Sequence, residues 1–255
     1  MLSWYNNTLD DTLAISVTLT KSDVDWMNAN RFSPTNTQYG SLYIAQSLVN
    51  NSNFPSIVSY AYSKNIKLGM AYSTTGEIDT LLAYNAKQTS IDKKLYYAVS
   101  EIEPYNTGDY SGMTAKMQYA YPKLKAAGLK HVVYMGWPVD TYWSTIVANC
   151  DEINLHCYRT SADMTPSSIW NYVSKRLALI ADACKAQNKL MKVNILYSCE
   201  PAFAYTFFQT HAWGDAHSMF LSQYATKATV NMKSFLNVMD FSIFVSKYGK
   251  QIKPL

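Results

Sequence analysis

Eight short apolar runs, separated by segments of helical periodicity, constrain this chain more than any single motif does. The runs fall at about 13–19, 41–45, 67–72, 95–103, 131–137, 151–158, 191–199 and 238–245. Strand alternating with helix reads as a parallel sheet with right-handed crossovers, and eight such units close into an α/β barrel, the (β/α)8 or TIM type. The clearest helix begins at Thr165, an N-cap residue followed by Pro166 at the first helical position. It keeps Ile169, Val173, Leu177, Ile180 and Cys184 on one face. A second runs from Ser111 to Ala127 and stops at Gly128, a residue that tolerates a left-handed C-terminal cap. A third follows Asp215, with Met219, Phe220, Tyr224 and Val230 on or near one face. With 255 residues, 48% of them hydrophobic, the chain can fill one large core, and a single domain over 1–255 is expected. No G-x-G-x-x-G turn follows a strand, which argues against an open dinucleotide-binding sheet.

Sites in such barrels form at the C-terminal ends of the strands. The third run ends in Tyr72-Ser73, the fourth in Glu101-Ile102-Glu103-Pro104 and the fifth in Met135-Gly136-Trp137-Pro138. The sixth ends in His156-Cys157-Tyr158-Arg159, the seventh in Tyr197-Ser198-Cys199-Glu200 and the eighth in Ser246-Lys247-Tyr248. Acidic, imidazole and aromatic groups are therefore expected at one rim. Trp137, Tyr72, Tyr197 and Tyr248 would supply flat apolar faces there, each with a polar atom free to reach a ligand. The long stretch from Pro201 to Gly214, which carries Trp213, reads as a lid or binding loop.

Strand side chains alternate faces, so Glu101 and Glu103 point the same way, roughly 7 Å apart along the strand. One carboxylate raises its neighbour's affinity for a proton, which is how an acid is kept protonated for catalysis. Hydrolysis of a glycosidic bond needs such a donor and a second carboxylate. Glu200, ending the seventh run, is the candidate that could face them across the mouth. The alternative is a structural ion network in which Lys192, Arg159 or Lys247 neutralises Glu101 and Glu103.

On these residues the chain resembles the clan of retaining glycosidase barrels with one catalytic Glu on strand four and one on strand seven. Ile102-Glu103-Pro104 is similar to that clan's Asn-Glu-Pro, and His156-Cys157-Tyr158 to its strand-six His-x-Tyr. The resemblance implies Glu103 as acid/base, Glu200 as nucleophile, and His156 and Tyr158 as rim residues. Ile102 replaces the Asn expected to contact the 2-hydroxyl of the substrate. A second resemblance is to chitinase-like barrels, whose strand four reads Asp-x-x-Asp-x-Asp-x-Glu. It implies Glu103 as proton donor, with Glu101 orienting an N-acetyl group. The function implied is cleavage of an oligo- or polysaccharide. A noncatalytic carbohydrate-binding or surface-interaction barrel is the alternative.

Other classes fit less well. The net charge of +4 is spread without a basic run, so neither nucleic acid nor a membrane surface is expected as a partner. Four histidines, none in His-x-His or His-Glu-x-x-His spacing, and cysteines at 150, 157, 184 and 199 without CxxC spacing suggest no metal site. No cofactor is expected. The N-terminus lacks the basic and apolar regions of a signal peptide. An extracellular or periplasmic location, with the leader absent from this chain, goes with the glycosidase resemblance rather than with any residue here.

Overall fold

The structure, a computed structural model, describes residues 2–5, 19–29, 40–44 and 49–245. Eight parallel strands form its ring: β1 (Leu2–Tyr5), β2 (Gly40–Ile44), β3 (Ile66–Tyr72), β4 (Tyr97–Ser100), β5 (Lys130–Met135), β6 (Glu152–His156), β7 (Met191–Ser198) and β9 (Phe241–Val245). β1 pairs with β2 and β9, and β6 with β7, so the sheet closes on itself as a (β/α)8 barrel. A two-residue strand, β8 (Leu236–Asn237), only extends the beginning of β7.

The first strand is not the one expected at 13–19. Leu2–Tyr5 holds the position between β2 and β9, while residues 13–18 lie outside the described residues. Residues 246–248, with Lys247 and Tyr248, also lie outside them.

The helices are α1 (Lys21–Ala29), α2 (Phe54–Ser63), α3 (Thr75–Lys87), α4 (Pro104–Thr107), α5 (Tyr110–Ala126), α6 (Trp143–Ala148), α7 (Pro166–Ala186), α8 (Tyr205–Phe208), α9 (Asp215–Lys227) and α10 (Val230–Phe235). α7 begins as its sequence dictates: the Thr165 hydroxyl accepts from the Ser168 N–H, Pro166 opens the helix, and Ile169, Val173, Leu177, Ile180 and Cys184 are buried. α5 ends before Gly128, whose φ of +72° is the left-handed conformation expected there. Val230 departs from expectation. It starts a helix of its own and is exposed. No described helix is long and apolar enough to cross a membrane.

Period-two alternation splits the strand residues between two cores. Ala98, Val133, Met135, Leu155, Ile195, Tyr197 and Ile243 face outward, in one buried cluster with helix residues such as Trp143, Leu177 and Phe220. Val99, Val132, Tyr134 and Leu196 fill the barrel interior with Tyr97, Tyr158 and Phe244 against them. Polar groups layer the same interior. Near the N-terminal ends of the strands the Lys192 ammonium lies 3.0 Å from Asp240 and 3.5 Å from Glu152. One layer up, Asn194 Nδ2 donates to Asn154 Oδ1 at 2.9 Å and Ser242 Oγ to the same oxygen at 3.3 Å. The next layer is the barrel mouth.

Candidate active site

β4 stops at Ser100, short of the 103 expected, because Pro104 opens α4 and restricts the residue before it. Alternation nevertheless persists: the Glu101 N–H still donates to the Tyr72 carbonyl at 2.9 Å, and Ile102 is buried in the outer core. Glu101 and Glu103 are thus directed to the mouth together. There they line a cavity of about 300 Å³ with Tyr134, His156, Tyr158, Glu200 and Phe244. A second cavity of about 370 Å³ shares Glu101 and Glu103 and continues past Ser73, Asn106, Asp109 and Lys116. The two carboxyl groups form the ridge between the cavities.

Each carboxylate has its own support. Burial, then the charge of Glu103 and that of Glu77, pushes the Glu101 carboxyl up to about 7. Tyr105 Oη donates to Glu103 Oε1 at 2.5 Å and Asn106 Nδ2 to Oε2 at 2.7 Å, so the group is held by both oxygens. Glu200 accepts from Ser198 Oγ at 2.8 Å, and its own N–H donates back to that hydroxyl at 3.2 Å. Of the cations expected in a structural ion network, Lys192 and Arg159 are engaged elsewhere, and Lys247 lies outside the described residues. Lys192 is committed at the other end of the barrel, and Arg159 pairs with Asp163 at 3.0 Å. Among the described residues no lysine or arginine pairs with Glu101, Glu103 or Glu200.

His156 is 8% exposed and stacks on Tyr158 with ring centroids 4.6 Å apart and planes 5° from parallel. Burial first, and the Arg176 charge second, hold its pKa down to about 3, so it enters the site as a neutral imidazole. Its Nε2 is buried and has no hydrogen-bond partner among the described residues.

Five expected site residues therefore meet at the mouth: Glu101, Glu103, Glu200, His156 and Tyr158. Others do not. Tyr72 faces the helix layer, its hydroxyl 2.6 Å from His131 Nε2, because it lies level with the outward-facing Ser100. Tyr197 lies level with outward-facing Ile243 and donates to the Ala216 carbonyl of α9 at 3.3 Å. Trp213 is buried against Phe208, so the segment from Pro201 to Gly214 is packed and partly helical. Only its Phe203 reaches the site region, 5.1 Å from Tyr158. Trp137 is nearly half exposed in a separate groove. The four cysteines are buried free thiols.

Reading by strand ends missed Tyr134, Phe244, Tyr105, Asn106 and Ser198. The signal for Tyr134 was its alternation with Val132. That for Tyr105 was Gly136, whose missing Cβ leaves room for the phenol: a Cβ built there would lie 2.8 Å from Tyr105 Oη and 3.2 Å from His156 Nδ1. Gly136→Ala should accordingly displace Tyr105 from Glu103 with thermal unfolding shifted only modestly, and any activity that depends on the Glu103 carboxylate should fall about 10²-fold. Unchanged kinetics in the purified variant would show that the Tyr105 contact is dispensable.

By sequence, no protein-family model and no curated protein matches the chain. By structure it is similar to an active-site mutant of Rhizomucor miehei β-1,3-glucanosyltransferase in complex with laminaritriose. The TM-score is 0.51, at 11% identity over 89% of this chain and 84% of that one. An engineered protein matches with TM-score 0.54 and 10% identity, over 96% of this chain and 63% of the other. A modular endo-β-1,4-mannanase from Cellulomonas fimi, of glycoside hydrolase family 26, matches with TM-score 0.50 and 10% identity, over 96% of this chain and 64% of the mannanase. At such identities the likeness is one of fold, and that fold is the (β/α)8 barrel.

Proposed function

We propose that this barrel acts on carbohydrate, cleaving or transferring a glycosidic bond at its mouth. The observation that carries the reading is the meeting of three carboxyl groups, from the ends of β4 and β7, in one cavity where no cation pairs with them among the described residues. An acidic wall of this kind stabilises the positive charge that develops on a sugar ring as its glycosidic bond breaks. The aromatic lining offers ring faces to an apolar sugar surface.

The roles we assign differ from the resemblance in one place. Glu101, pushed up to about 7, keeps its proton near neutral pH and is the better donor to the leaving oxygen. Glu103, fixed by Tyr105 and Asn106, supplies the adjacent negative charge that helps hold that proton. A glycan lying over the ridge would place one sugar in the aromatic cavity and the other beside Ser73 and Asn106. Proton transfer from Glu101 then releases the alcohol while the Glu200 carboxylate attacks the anomeric carbon. A water or sugar hydroxyl, deprotonated by Glu101, opens the resulting glycosyl ester. This is the retaining course, for which the reacting carboxyl groups must lie about 5–5.5 Å apart; about 6.5–9.5 Å accompanies inversion.

One observation favours a second reading. Ile102, where the resemblance has Asn, is buried in the outer core and offers nothing to a 2-hydroxyl, as suits a carbohydrate-binding barrel without chemistry. Reducing-end release from β-1,3-glucan, β-1,4-mannan, cellulose, xylan and chitin oligosaccharides separates the two. On the enzyme reading the parent releases reducing ends from at least one, and Glu103→Gln moves the basic limb of the pH–rate profile downward, since a charge holding the Glu101 proton has gone. Loss of all activity in Glu103→Gln at every pH would return the donor role to Glu103. Glycan binding without release by the parent supports the binding barrel.

A further inference from the structure

Trp137 follows β5 and Arg159 follows β6, so both stand on the same face of the barrel as the mouth, yet neither lines the central cavity. They border a separate groove of about 460 Å³ with Ser167, Ser168, Asn171 and Tyr172. Trp137 is 47% exposed there, an unusual state for so large an apolar side chain.

Its exposure is not looseness. The Arg176 guanidinium lies over the indole, 3.9 Å from the ring centroid, and is itself buried and fixed by 2.8 Å hydrogen bonds to the carbonyls of Gly136 and Tyr172. The Tyr172 ring meets the indole edge-on at 5.1 Å, and Trp137 Nε1 donates to Tyr172 Oη at 3.3 Å. One face and the polar edge are thus occupied, and what remains exposed is a rigid flat surface bordering the groove. The polar groups around it are short and positioned: Arg159 donates to Ser168 Oγ at 3.1 Å and pairs with Asp163. Asn171 and Ser167 keep donors and acceptors on the groove wall. A pre-organised aromatic face flanked by neutral hydrogen-bonding groups, with Arg159 paired to Asp163 and Arg176 buried against the indole, suits a neutral pyranose ring rather than an anion or a lipid.

We propose that the Trp137 groove is a second glycan-binding site, separate from the mouth, that stacks one sugar of a neutral chain on the indole. Tyr158 lines the central cavity and Arg159, the next residue, lines the groove, so the two sites are neighbours on one rim, and one chain of several sugars would engage both. Occupying the second site then acts as a tether, raising the affinity for long chains over short ones. The site does not depend on the catalytic reading, since binding at the groove needs none of the three carboxylates.

Isothermal titration of the full chain with di- and hexasaccharides of the β-1,3-glucan, β-1,4-mannan, cellulose, xylan and chitin series tests it. The parent should bind at least one hexasaccharide tenfold or more tightly than its disaccharide. Trp137→Ala should remove that preference, and Trp137→Phe, which keeps an aromatic face, should restore most of it. Asn171→Ala, an exposed position on the groove wall, should weaken hexasaccharide binding without touching the indole. A parent that binds none of the panel, or a folded Trp137→Ala protein that binds the hexasaccharide as the parent does, overturns the proposal. Trp137-dependent binding in a parent that releases no reducing ends would defeat the catalytic reading and leave this one standing.

Discussion

Replacing Glu101 by Gln should make the protein more stable above pH 7 while stopping the reaction, two effects of opposite sign from one substitution. Burial and the neighbouring charge of Glu103 raise the Glu101 pKa to about 7, against 4.5 for an unperturbed side chain. A folded state that holds a proton more tightly than the unfolded chain gains stability at low pH. That gain is complete below about 4.5 and is lost as pH rises to about 7. At 1.36 kcal/mol per unit the loss is about 3 kcal/mol. The amide of Gln is neutral throughout and has no proton to lose, so the variant should escape this loss. Urea unfolding at intervals from pH 4 to 8.5 should give parent and variant curves that diverge upward in pH. Turnover of a natural glycan should meanwhile fall about 10³-fold, within the usual range for removing a general acid. An aryl glycoside with a good leaving group, which needs no proton, should be affected far less. Parallel stability curves would mean that Glu101 is not the carboxyl held neutral, and the donor role would pass to Glu103.

The barrel and the meeting of its carboxylates were legible in the sequence for the same reason. Apolar runs with flanking helical periodicity mark every strand of the ring but the first, β2 to β7 and β9, and the rule that sites lie at strand ends selects Glu101, Glu103, Glu200, His156 and Tyr158, which share one cavity. What the sequence does not carry is register between strands. Tyr72 and Tyr197 also sit at strand ends, but their neighbours across the sheet, Ser100 and Ile243, face the helices, and they face with them. Whether a residue at the end of a strand points in or out is decided by a one-residue parity that only pairing reveals. The first strand was lost for a different reason. Four residues, Leu2–Tyr5, suffice when both neighbours of the ring supply hydrogen bonds, and so short a run gives no periodicity to read. The supports of Glu103 and Glu200 were equally invisible, because Tyr105, Asn106 and Ser198 act through local turns rather than a motif.

Glu200→Ala should remove activity toward natural glycans by at least about 10³-fold, and the way activity returns should identify the mechanism. β4 and β7 are separated by β5 and β6 on one side of the ring and by β3, β2, β1 and β9 on the other, so their ends approach the cavity from well-separated positions. That is the placement a proton donor and a nucleophile on opposite faces of a sugar require. Removing the Glu200 carboxylate leaves a space beside the anomeric carbon that a small anion can enter. With an activated aryl β-glycoside, azide should restore turnover and yield a glycosyl azide of inverted configuration, since one displacement replaces two. The carboxylate at Glu101 is not needed for that step because the leaving group needs no proton. If Glu200 instead deprotonates water in a single displacement, azide should rescue poorly and the product of the parent should have inverted configuration, which proton NMR of the fresh sugar reads directly. A Glu200→Ala protein with full activity on N-acetylated substrates would transfer the nucleophilic role to the substrate itself, with Glu103 or Glu101 orienting its amide, and Glu200 would then be a wall of the cavity and nothing more.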